Sequence, residues 1–283
     1  MLLPRLFAHS LYESDRKLGA CLELAEWSGG QAPFEETLFH QADALTATGS
    51  DDAVTALRNR VPLKCRFLGY GHRVSFGYVA HESLSRSGAG TTIGQGAEDV
   101  IAWDQQGCLS PHVIYVERGG GMAPEEWAQR LSVELALRES TEPSGKRSEE
   151  DAARTVARRH FHEVRIAAGA DGRLWTSPNS TAWTVIYEAD SQFIVSSLNR
   201  FIYVKAVNDL AEAMRAADGM RRHISTVGVA APEDRRRHLA QQLAEWGVSR
   251  VCELGRMQMP PLTWRHDGRP ALGDLVTWCD LEN

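Results

Sequence analysis

The sequence predicts an α/β protein with a largely parallel sheet. Segments with helical periodicity alternate with short apolar segments, and this alternation favours strand–helix–strand units. The chain has 283 residues, which is enough to bury a sizeable core in one large domain or in two ordinary ones. Its composition, 43% hydrophobic and 24% charged, is typical of a folded globular protein.

The first part of the chain has the pattern of a repeating helix–strand unit. Leu6, Leu11 and Leu18 predict a first helix, and the segment from Cys21 to Trp27 predicts a strand. The predicted elements that follow are a short helix at residues 34–41, a strand at 42–48, a further helix at 51–60 and a further strand at 65–68.

A second series of elements begins near Val74. The pattern predicts helices at residues 125–138, 149–167, 209–217 and 232–246, and strands at residues 113–116, 183–187, 201–204, 226–229 and 250–252. We predict exposed loops at the glycine-rich residues 87–96 and at residues 140–148. The alternation of apolar and polar residues in 275–281 predicts a last strand.

Composition disfavours several broad classes of protein. No apolar run approaches the roughly 20 residues of a membrane helix, and the N-terminus is a poor signal peptide, so a cytoplasmic location is the default. The net charge of −6 argues against a nucleic-acid partner, and arginine runs such as Arg158-Arg159 and Arg235 to Arg237 are expected on solvated helix faces. Neither a disulfide framework nor a metal site is indicated, because five cysteines are scattered without a paired spacing: Cys21, Cys65, Cys108, Cys252 and Cys279. Nor do His160 and His162 indicate a metal site, since two residues this far apart on a helix point to different sides.

The segment from Asp104 to Pro111 has the features of a nucleophile loop. Cys108 lies between a helical and a strand-like run, Gly107 lets backbone N–H groups approach an oxyanion, and Pro111 prevents a return to helix. Cysteine is equally often a small buried hydrophobe, however, and the local spacing alone does not decide between the two roles. Asp104 is expected to form hydrogen bonds or to cap, because a carboxylate beside the thiol would raise its pKa.

Four motifs in order give this loop a family context. The run Asp104-Gln105-Gln106-Gly107-Cys108-Leu109-Ser110-Pro111 resembles the active-cysteine motif of the LuxC-type family, the acyl-CoA reductases of bacterial luminescence within the aldehyde dehydrogenase superfamily. The other three motifs resemble the superfamily's pyrophosphate turn, its domain-joining segment and the family's C-terminal signature, at residues 48–51, 70–76 and 255–278.

The resemblance implies an aldehyde-dehydrogenase-like fold with a defined division of the chain. Residues 1–74 would form part of a dinucleotide-binding domain, residues 75–272 the catalytic cysteine domain and residues 273–283 a C-terminal strand. Gly49 and Ser50 would bind the cofactor's pyrophosphate at a helix N-terminus, and we expect them to face Cys108 across a cleft. The superfamily's earlier nucleotide-binding strands would lie upstream of Met1, so we expect the isolated chain to bind NADPH weakly and to perform less than the whole reaction.

By the same resemblance, the chain would be an NADPH-dependent long-chain acyl-CoA reductase. Cys108 would form an acyl-enzyme that hydride discharges as a fatty aldehyde, and His72 is the candidate acid–base residue, although a histidine after glycine is more often structural. The implied partners are a long-chain acyl-CoA or acyl-protein thioester, an acyl-protein synthetase and further copies of the chain. The alternative is a redox-inactive subunit that binds acyl thioesters or a partner.

Overall fold

The structure, a computed structural model, describes residues 2–85, 88–270 and 272–282. The chain divides into two compact units, Met1–Gly71 and His72–Asn283. The first predicted domain boundary lies at residue 74, close to this division. Within the described ranges, every helix is too short or too polar to cross a membrane.

The first unit contains four helices and a two-stranded sheet. Its elements are α1 (Leu3–Ser14), α2 (Arg16–Gly19), α3 (Ala32–Gln41), β1 (Ala44–Thr48), α4 (Asp51–Arg58) and β2 (Arg66–Tyr70). Strands β1 and β2 pair in parallel from Ala44 with Arg66 to Thr48 with Tyr70. Helix α4 begins behind Ser50, whose side chain accepts a hydrogen bond from the Ala53 N–H and caps the helix.

Two predictions for the first unit are wrong. Residues 21–27 form no strand. A strand needs a neighbouring strand as hydrogen-bond partner for its backbone groups, and β1 and β2 pair with each other rather than with this segment. The single helix predicted through Leu6, Leu11 and Leu18 is two helices. Asp15 separates them, because its side chain accepts hydrogen bonds from the N–H groups of Lys17 and Leu18 and starts α2.

The second unit carries the main sheet. Its strands are β3 (Val74–Val79), β4 (Pro111–Glu117), β5 (Gly172–Thr176), β6 (Thr184–Glu188), β7 (Phe201–Val207), β8 (Ile224–Ala230) and β9 (Arg250–Glu253). Its helices are α5 (Ala89–Ile101), α6 (Pro124–Glu139), α7 (Glu149–Ala167), α8 (Leu210–Ala216) and α9 (Glu233–Trp246). The predicted helices at 125–138 and 149–167 are therefore confirmed within one residue at each end.

The seven strands lie in the order β5-β6-β7-β4-β3-β8-β9, and all pairs except β5 with β6 are parallel. One face is covered by α5 and α6 through a cluster that includes Trp127, Leu131 and Ile114. A second cluster, which includes Leu239 and Tyr115, covers the other face. Because β3, β4, β6, β7 and β8 are parallel to one another, their amino ends meet at one edge of the sheet, which we call the amino edge.

The glycine-rich segment predicted as an exposed loop is largely helix α5. Residue 87 of that prediction lies outside the described part of the chain, and Ala89 to Gly96 are helical. A side chain at Gly96 would place its Cβ 2.9 Å from Trp127, so the absence of one lets α5 approach α6 closely. The Trp127 Nε1–H also donates to Thr92 Oγ1 at 2.9 Å. Tertiary packing therefore outweighs the low helix propensity of glycine.

Three further differences concern strands. The prediction missed β3, because its six residues are all buried and lack alternation, which is the pattern of a parallel strand covered on both faces. It also missed β5, a short antiparallel strand at the edge of the sheet. The predicted strand at 275–281 is wrong in the single chain, where the described residues at this end are a short 3₁₀ turn and irregular backbone.

A buried ionic network joins β6 and β7. Lys205 is completely buried, and its Nζ donates to Glu188 Oε2 at 2.5 Å and to Asp190 Oδ1 at 2.8 Å. Arg165 also donates to Glu188, at 2.6 Å. Burial raises the pKa of Glu188, but hydrogen bonds from His162 and Lys205 and the charge of Lys205 outweigh burial, and the pKa is lowered to about 2.

Replacing Lys205 by methionine should destabilise the fold by about 3 kcal/mol, because it removes the completely buried cation that pairs with both Glu188 and Asp190. The matched control is Arg173→Gln, which breaks an exposed pair with Glu125 and should change stability by at most about 1 kcal/mol. The pKa of Glu188 lies below its ordinary value of 4.5, so its ionised form stabilises the protein above that pH. This contribution is lost as the pH falls from 4.5 toward 2. Urea denaturation of both variants between pH 3 and pH 7 measures these effects, and equal losses at pH 7 would contradict the assignment.

Candidate active site around Cys108

Cys108 lies on a loop at the amino edge of the sheet, three residues before β4. The residue is exposed to solvent. Its backbone carbonyl accepts a hydrogen bond from Ser75 Oγ at 3.1 Å, and Ser75 Oγ in turn accepts one from the Thr226 N–H at 3.3 Å. The loop that carries the thiol is thereby attached to β3 and β8.

The loop is entered through a left-handed turn. Residues 103–105 all have positive φ, between 50° and 62°, and so do residues 198–200, between 57° and 62°. None of the six is glycine, and each residue in this conformation costs about 1 kcal/mol or more. Gln106 Nε2 joins the two turns by donating to Asn199 Oδ1 at 2.9 Å.

Gln105 is the central link between these turns and the sheet. Its side chain is completely buried, and Nε2 donates to the carbonyls of Pro111 at 2.7 Å and Phe201 at 3.0 Å. Its Oε1 accepts a hydrogen bond from the Phe201 N–H at 2.7 Å. One amide therefore bonds backbone groups at the starts of both β4 and β7.

Asp104 and Arg200 add an ionic link between the same two turns. Arg200 Nε donates to Asp104 Oδ1 at 2.6 Å, and Arg200 Nη1 donates to Glu139 Oε2 at 3.0 Å. The second oxygen of Asp104 accepts from the Gly145 N–H at 2.9 Å. The prediction that Asp104 is a hydrogen-bonding residue is confirmed.

The C-terminal signature packs against the other side of the loop. Asp99 on α5 anchors this segment by accepting from the N–H groups of Gly255 at 2.5 Å and Met257 at 2.9 Å. Gln258 Nε2 then donates to Ser110 Oγ at 2.5 Å. A Cβ at Gly107 would lie 2.5 Å from that amide nitrogen, so the glycine makes room for Gln258.

The charges near Cys108 act in opposite directions. Desolvation by the surrounding protein raises the pKa of the thiol above its usual 9.0, and the carboxylate of Asp267 raises the pKa further, while Arg73 lowers it. Arg73 Nε donates to Asp267 Oδ2 at 2.8 Å, and Ser225 Oγ donates to Oδ1 at 3.2 Å. The free protein therefore keeps Cys108 mainly as the thiol at neutral pH.

Two histidines belong to the same edge of the sheet. His72 lies two residues before β3, and its backbone carbonyl is 3.2 Å from His223 Nδ1. Burial, with a smaller electrostatic contribution from the neighbouring His72, lowers the pKa of His112 to about 4. His112 Nδ1 accepts from the Ser196 N–H at 3.1 Å, which leaves the proton of the neutral ring on Nε2. The acid–base role of His72 remains a prediction.

The candidate cofactor residues lie in the first unit. Gly49 and Ser50 follow β1 and precede α4, which is the strand–turn–helix geometry that binds pyrophosphate. Gly49 leaves its surroundings open, because a Cβ there would make only an ordinary contact of 3.5 Å with Ala53. The backbone of this turn fits a dinucleotide, although Asp51 and Asp52 place acidic residues in the first turn of α4. Binding at Gly49 and Ser50 remains a prediction.

Within the described ranges, one group of side chains has ligand atoms close enough to hold a metal ion. His81, Glu82 and Glu117 bring their ligand atoms within 4.8 Å of one another at the carboxyl ends of β3 and β4. Arg235 contacts both glutamates and His81, so a cationic group already lies beside them. The prediction that Arg235 belongs to a solvated face is wrong, because its guanidinium pairs with the buried Glu117.

All five cysteines are free, and His160 is exposed whereas His162 is buried.

The positioning residues around Cys108 were mostly missed by sequence reasoning. Ser75 and Gln258 lie inside two of the four motifs, but the motifs did not indicate that these side chains hold the Cys108 loop. Gln105 was quoted only as part of the cysteine motif. Asp267 lies within the bounds of the C-terminal motif and Arg200 outside all four motifs, and neither role was predicted, because their contacts join segments 61 to 194 residues apart in the sequence.

Replacing Gln105 by alanine should destabilise the second unit by about 3 kcal/mol, because the Pro111 and Phe201 carbonyls and the Phe201 N–H each lose a hydrogen bond from a completely buried amide. The matched control is Gln106→Ala, which removes one hydrogen bond from an exposed residue and should have an effect below about 1.5 kcal/mol. Thermal or urea unfolding measures both. Equal destabilisation by the two substitutions would show that Gln105 does not hold the turns to the sheet.

Comparison with solved structures identifies the fold. The chain aligns with the NAD-dependent aldehyde dehydrogenase from Burkholderia multivorans at a TM-score of 0.57 and 16% identity, over 81% of this chain and 44% of that one. Aldehyde dehydrogenase 21 from Physcomitrella patens, solved with succinate, gives 0.55 and 13%, over 79% and 46%. GapN, a glyceraldehyde-3-phosphate dehydrogenase from Methanocaldococcus jannaschii complexed with NADP, gives 0.56 and 10%, over 82% and 50%.

The fold is therefore aldehyde-dehydrogenase-like, as predicted, and this chain spans half or less of the length of each of these neighbours. A search of curated proteins gave no match. Residues 1–278 match the family described as acyl-CoA reductase (LuxC). The chain belongs to the LuxC acyl-CoA reductase family.

Proposed function

We propose that this chain carries the nucleophile of an NADPH-dependent long-chain acyl-CoA reductase, which converts a fatty acyl thioester to a fatty aldehyde. The observation that carries the proposal is Cys108, an exposed thiol on a loop that is braced on both sides at the amino edge of the sheet. Because the loop is already held in place, little further conformational entropy of the loop is lost when the substrate binds beside the sulfur. The family assignment supports this choice of substrate and reaction.

In the first half-reaction, the Cys108 thiolate attacks the carbonyl carbon of the thioester. The bond from that carbon to the CoA sulfur breaks, and the CoA thiolate takes up one proton. His72 is the proposed acid–base residue, which would take the proton from the Cys108 thiol and return it to the leaving CoA. The product of this half-reaction is an acyl-Cys108 thioester.

In the second half-reaction, the acyl-Cys108 carbon is reduced. NADPH, when bound, supplies the hydride for this step, and Gly49 and Ser50 are the residues proposed to hold its pyrophosphate. The carbonyl oxygen then carries the negative charge. When this oxygen re-forms its double bond to carbon, the carbon–sulfur bond breaks, the aldehyde is released and Cys108 becomes a thiolate again. This scheme needs no deacylating water, which agrees with Gly69 at the position where hydrolytic relatives are expected to carry glutamate.

The proposal extends to location and partners. A cytoplasmic enzyme would receive its acyl group from acyl-CoA or from an acyl-protein thioester on a synthetase partner, and would assemble with further copies of itself. The alternative is a subunit that accepts acyl groups and does not reduce them. Release of aldehyde separates the two, because both forms acylate Cys108 and only the reductase turns over.

Incubation with a long-chain acyl-CoA should add one acyl mass to the protein, and Cys108→Ala should abolish the adduct, because the thiolate is the nucleophile. The matched control is Cys279→Ala, which removes another exposed free cysteine and should leave the adduct unchanged. Intact-mass measurement with and without NADPH checks both halves of the reaction. An adduct that persists in Cys108→Ala would refute the assignment.

Acylation should accelerate as the pH rises through 8 and beyond 9, because desolvation and Asp267 hold the pKa of Cys108 above 9.0 and only the thiolate reacts. Asp267→Asn should lower that pKa and increase the acylation rate at pH 8 severalfold, since it removes one charge that opposes the thiolate. The control, Asp218→Asn, removes a carboxylate from the short helix before β8. Stopped-flow acylation between pH 6 and pH 10 measures the shift, and a flat profile would argue against this account.

A further inference from the structure

A cavity opens at the amino edge of the sheet, apart from the Cys108 loop. Its volume is about 610 Å³, which is within the range of ligand pockets. The walls come from the end of α6, the segment before α7 and the turn between β5 and β6. Arg147, Ser144, Ser177, Ser180 and Trp183 are among the lining residues.

The cavity contains a cation without a carboxylate partner. Arg147 is half-buried, and its two terminal nitrogens donate to the backbone carbonyls of Thr181 and Ala182. A guanidinium has five donors, and in the described part of the chain no carboxylate lies within ion-pair distance of this one. Nearby carboxylates compensate this partly buried charge only at a distance, so an anion bound in direct contact would stabilise it.

A second arginine stands directly behind the wall. Arg159 is only 9% exposed and donates to Thr184 Oγ1, Ser177 Oγ and the carbonyls of Ser180 and Trp183. The prediction that Arg159 lies on a solvated helix face is wrong, because it braces the turn that forms the cavity. Within the described ranges, this guanidinium also has no carboxylate in ion-pair contact, so it adds to the positive potential.

The acidic residue of the wall is already engaged. Glu139 Oε2 accepts from Arg200, and Oε1 accepts from Ser144 N and Ser144 Oγ at 2.9 Å and 3.1 Å. Asp104, which approaches the cavity through Gly145, is paired with Arg200 as well. The charge that the cavity leaves without an ion-pair partner is therefore positive, and the Ser180 hydroxyl lies in the same wall.

The cavity lies at the same edge of the sheet as Cys108. Its turn enters β6, which is separated from β4 by β7 alone, so the two sites are offset by roughly 10 Å across the sheet. Gly145 lines the cavity and donates to Asp104, four residues before Cys108. A ligand could therefore occupy the cavity with one end and reach the thiol with a flexible arm.

We propose that this cavity binds the 3′-phosphorylated adenosine end of coenzyme A while the thioester end reaches Cys108. The proposal rests on the proposed acyl-CoA substrate. Arg147 would pair with the phosphate, and the Ser180 hydroxyl, which accepts from the Ala182 N–H, would donate to a further oxygen, because guanidinium and hydroxyl donors together match a phosphate monoester. Ala136, Ala182 and Trp183 supply the apolar wall for a purine.

Binding to the full chain is measured by isothermal titration with adenosine 3′,5′-bisphosphate, adenosine 2′,5′-bisphosphate, AMP and inorganic phosphate. We expect the 3′,5′-bisphosphate to bind at least tenfold more tightly than the other three, and Arg147→Gln to weaken it about tenfold or more by loss of a charge-assisted contact. Arg147→Lys should recover part of the affinity. Arg154→Gln, which removes the same charge from an exposed pair on α7, should leave binding unchanged.

Acylation kinetics distinguish a failure of this binding site from a failure of the proposed reaction. Arg147→Gln should raise the acyl-CoA concentration needed for half-maximal acylation of Cys108 about tenfold, and should not affect acylation by the matching acyl-pantetheine, which lacks the nucleotide. Equal binding of AMP and the 3′,5′-bisphosphate, or binding unaffected by Arg147→Gln in a protein with unchanged melting temperature, would overturn the site. If Cys108 is not acylated at all, the proposed function fails while the titration still tests the cavity.

Discussion

The amide of Gln105 is the contact on which the candidate active site depends. It hydrogen-bonds backbone groups at the starts of β4 and β7, and so joins the two strands at the edge where the reaction would occur. The left-handed turns at residues 103–105 and 198–200 are unfavourable by themselves. They persist because Gln105, Gln106 and Arg200 each join one turn to the other or to the sheet. These contacts therefore offset the unfavourable backbone conformations and hold the loop that carries Cys108 in place.

The bracing contacts leave the reactivity of the sulfur to its electrostatic surroundings. Asp267 opposes the thiolate and Arg73 favours it, and the two are hydrogen-bonded to each other. Hydrogen bonds thus fix the position of the loop, and desolvation together with the opposing charges of Asp267 and Arg73 sets the pKa of its thiol.

The cavity beside Arg147 depends on the same contacts. Arg200 neutralises both Asp104 and Glu139, and by doing so it leaves Arg147 as the unpaired charge of the cavity wall. The Asp104 carboxylate meanwhile receives the Gly145 N–H from the segment that lines the cavity. One ion-paired cluster therefore connects the wall of the proposed nucleotide site to the turn before Cys108.

The sequence by itself determined the α/β class, most helices of the second unit and the position of the candidate nucleophile, because periodicity, turn residues and the cysteine motif are local signals. Tertiary structure decided the rest. Helix α5 forms over a glycine-rich segment because Gly96 admits Trp127, and the apparent strand at 21–27 stays irregular because no neighbouring strand pairs with it. The contacts of Gln105, Arg200 and Asp267 join segments that only the folded chain brings together. A hydrogen bond between distant segments leaves no periodic trace in the sequence, so these positioning residues became recognisable only in the fold.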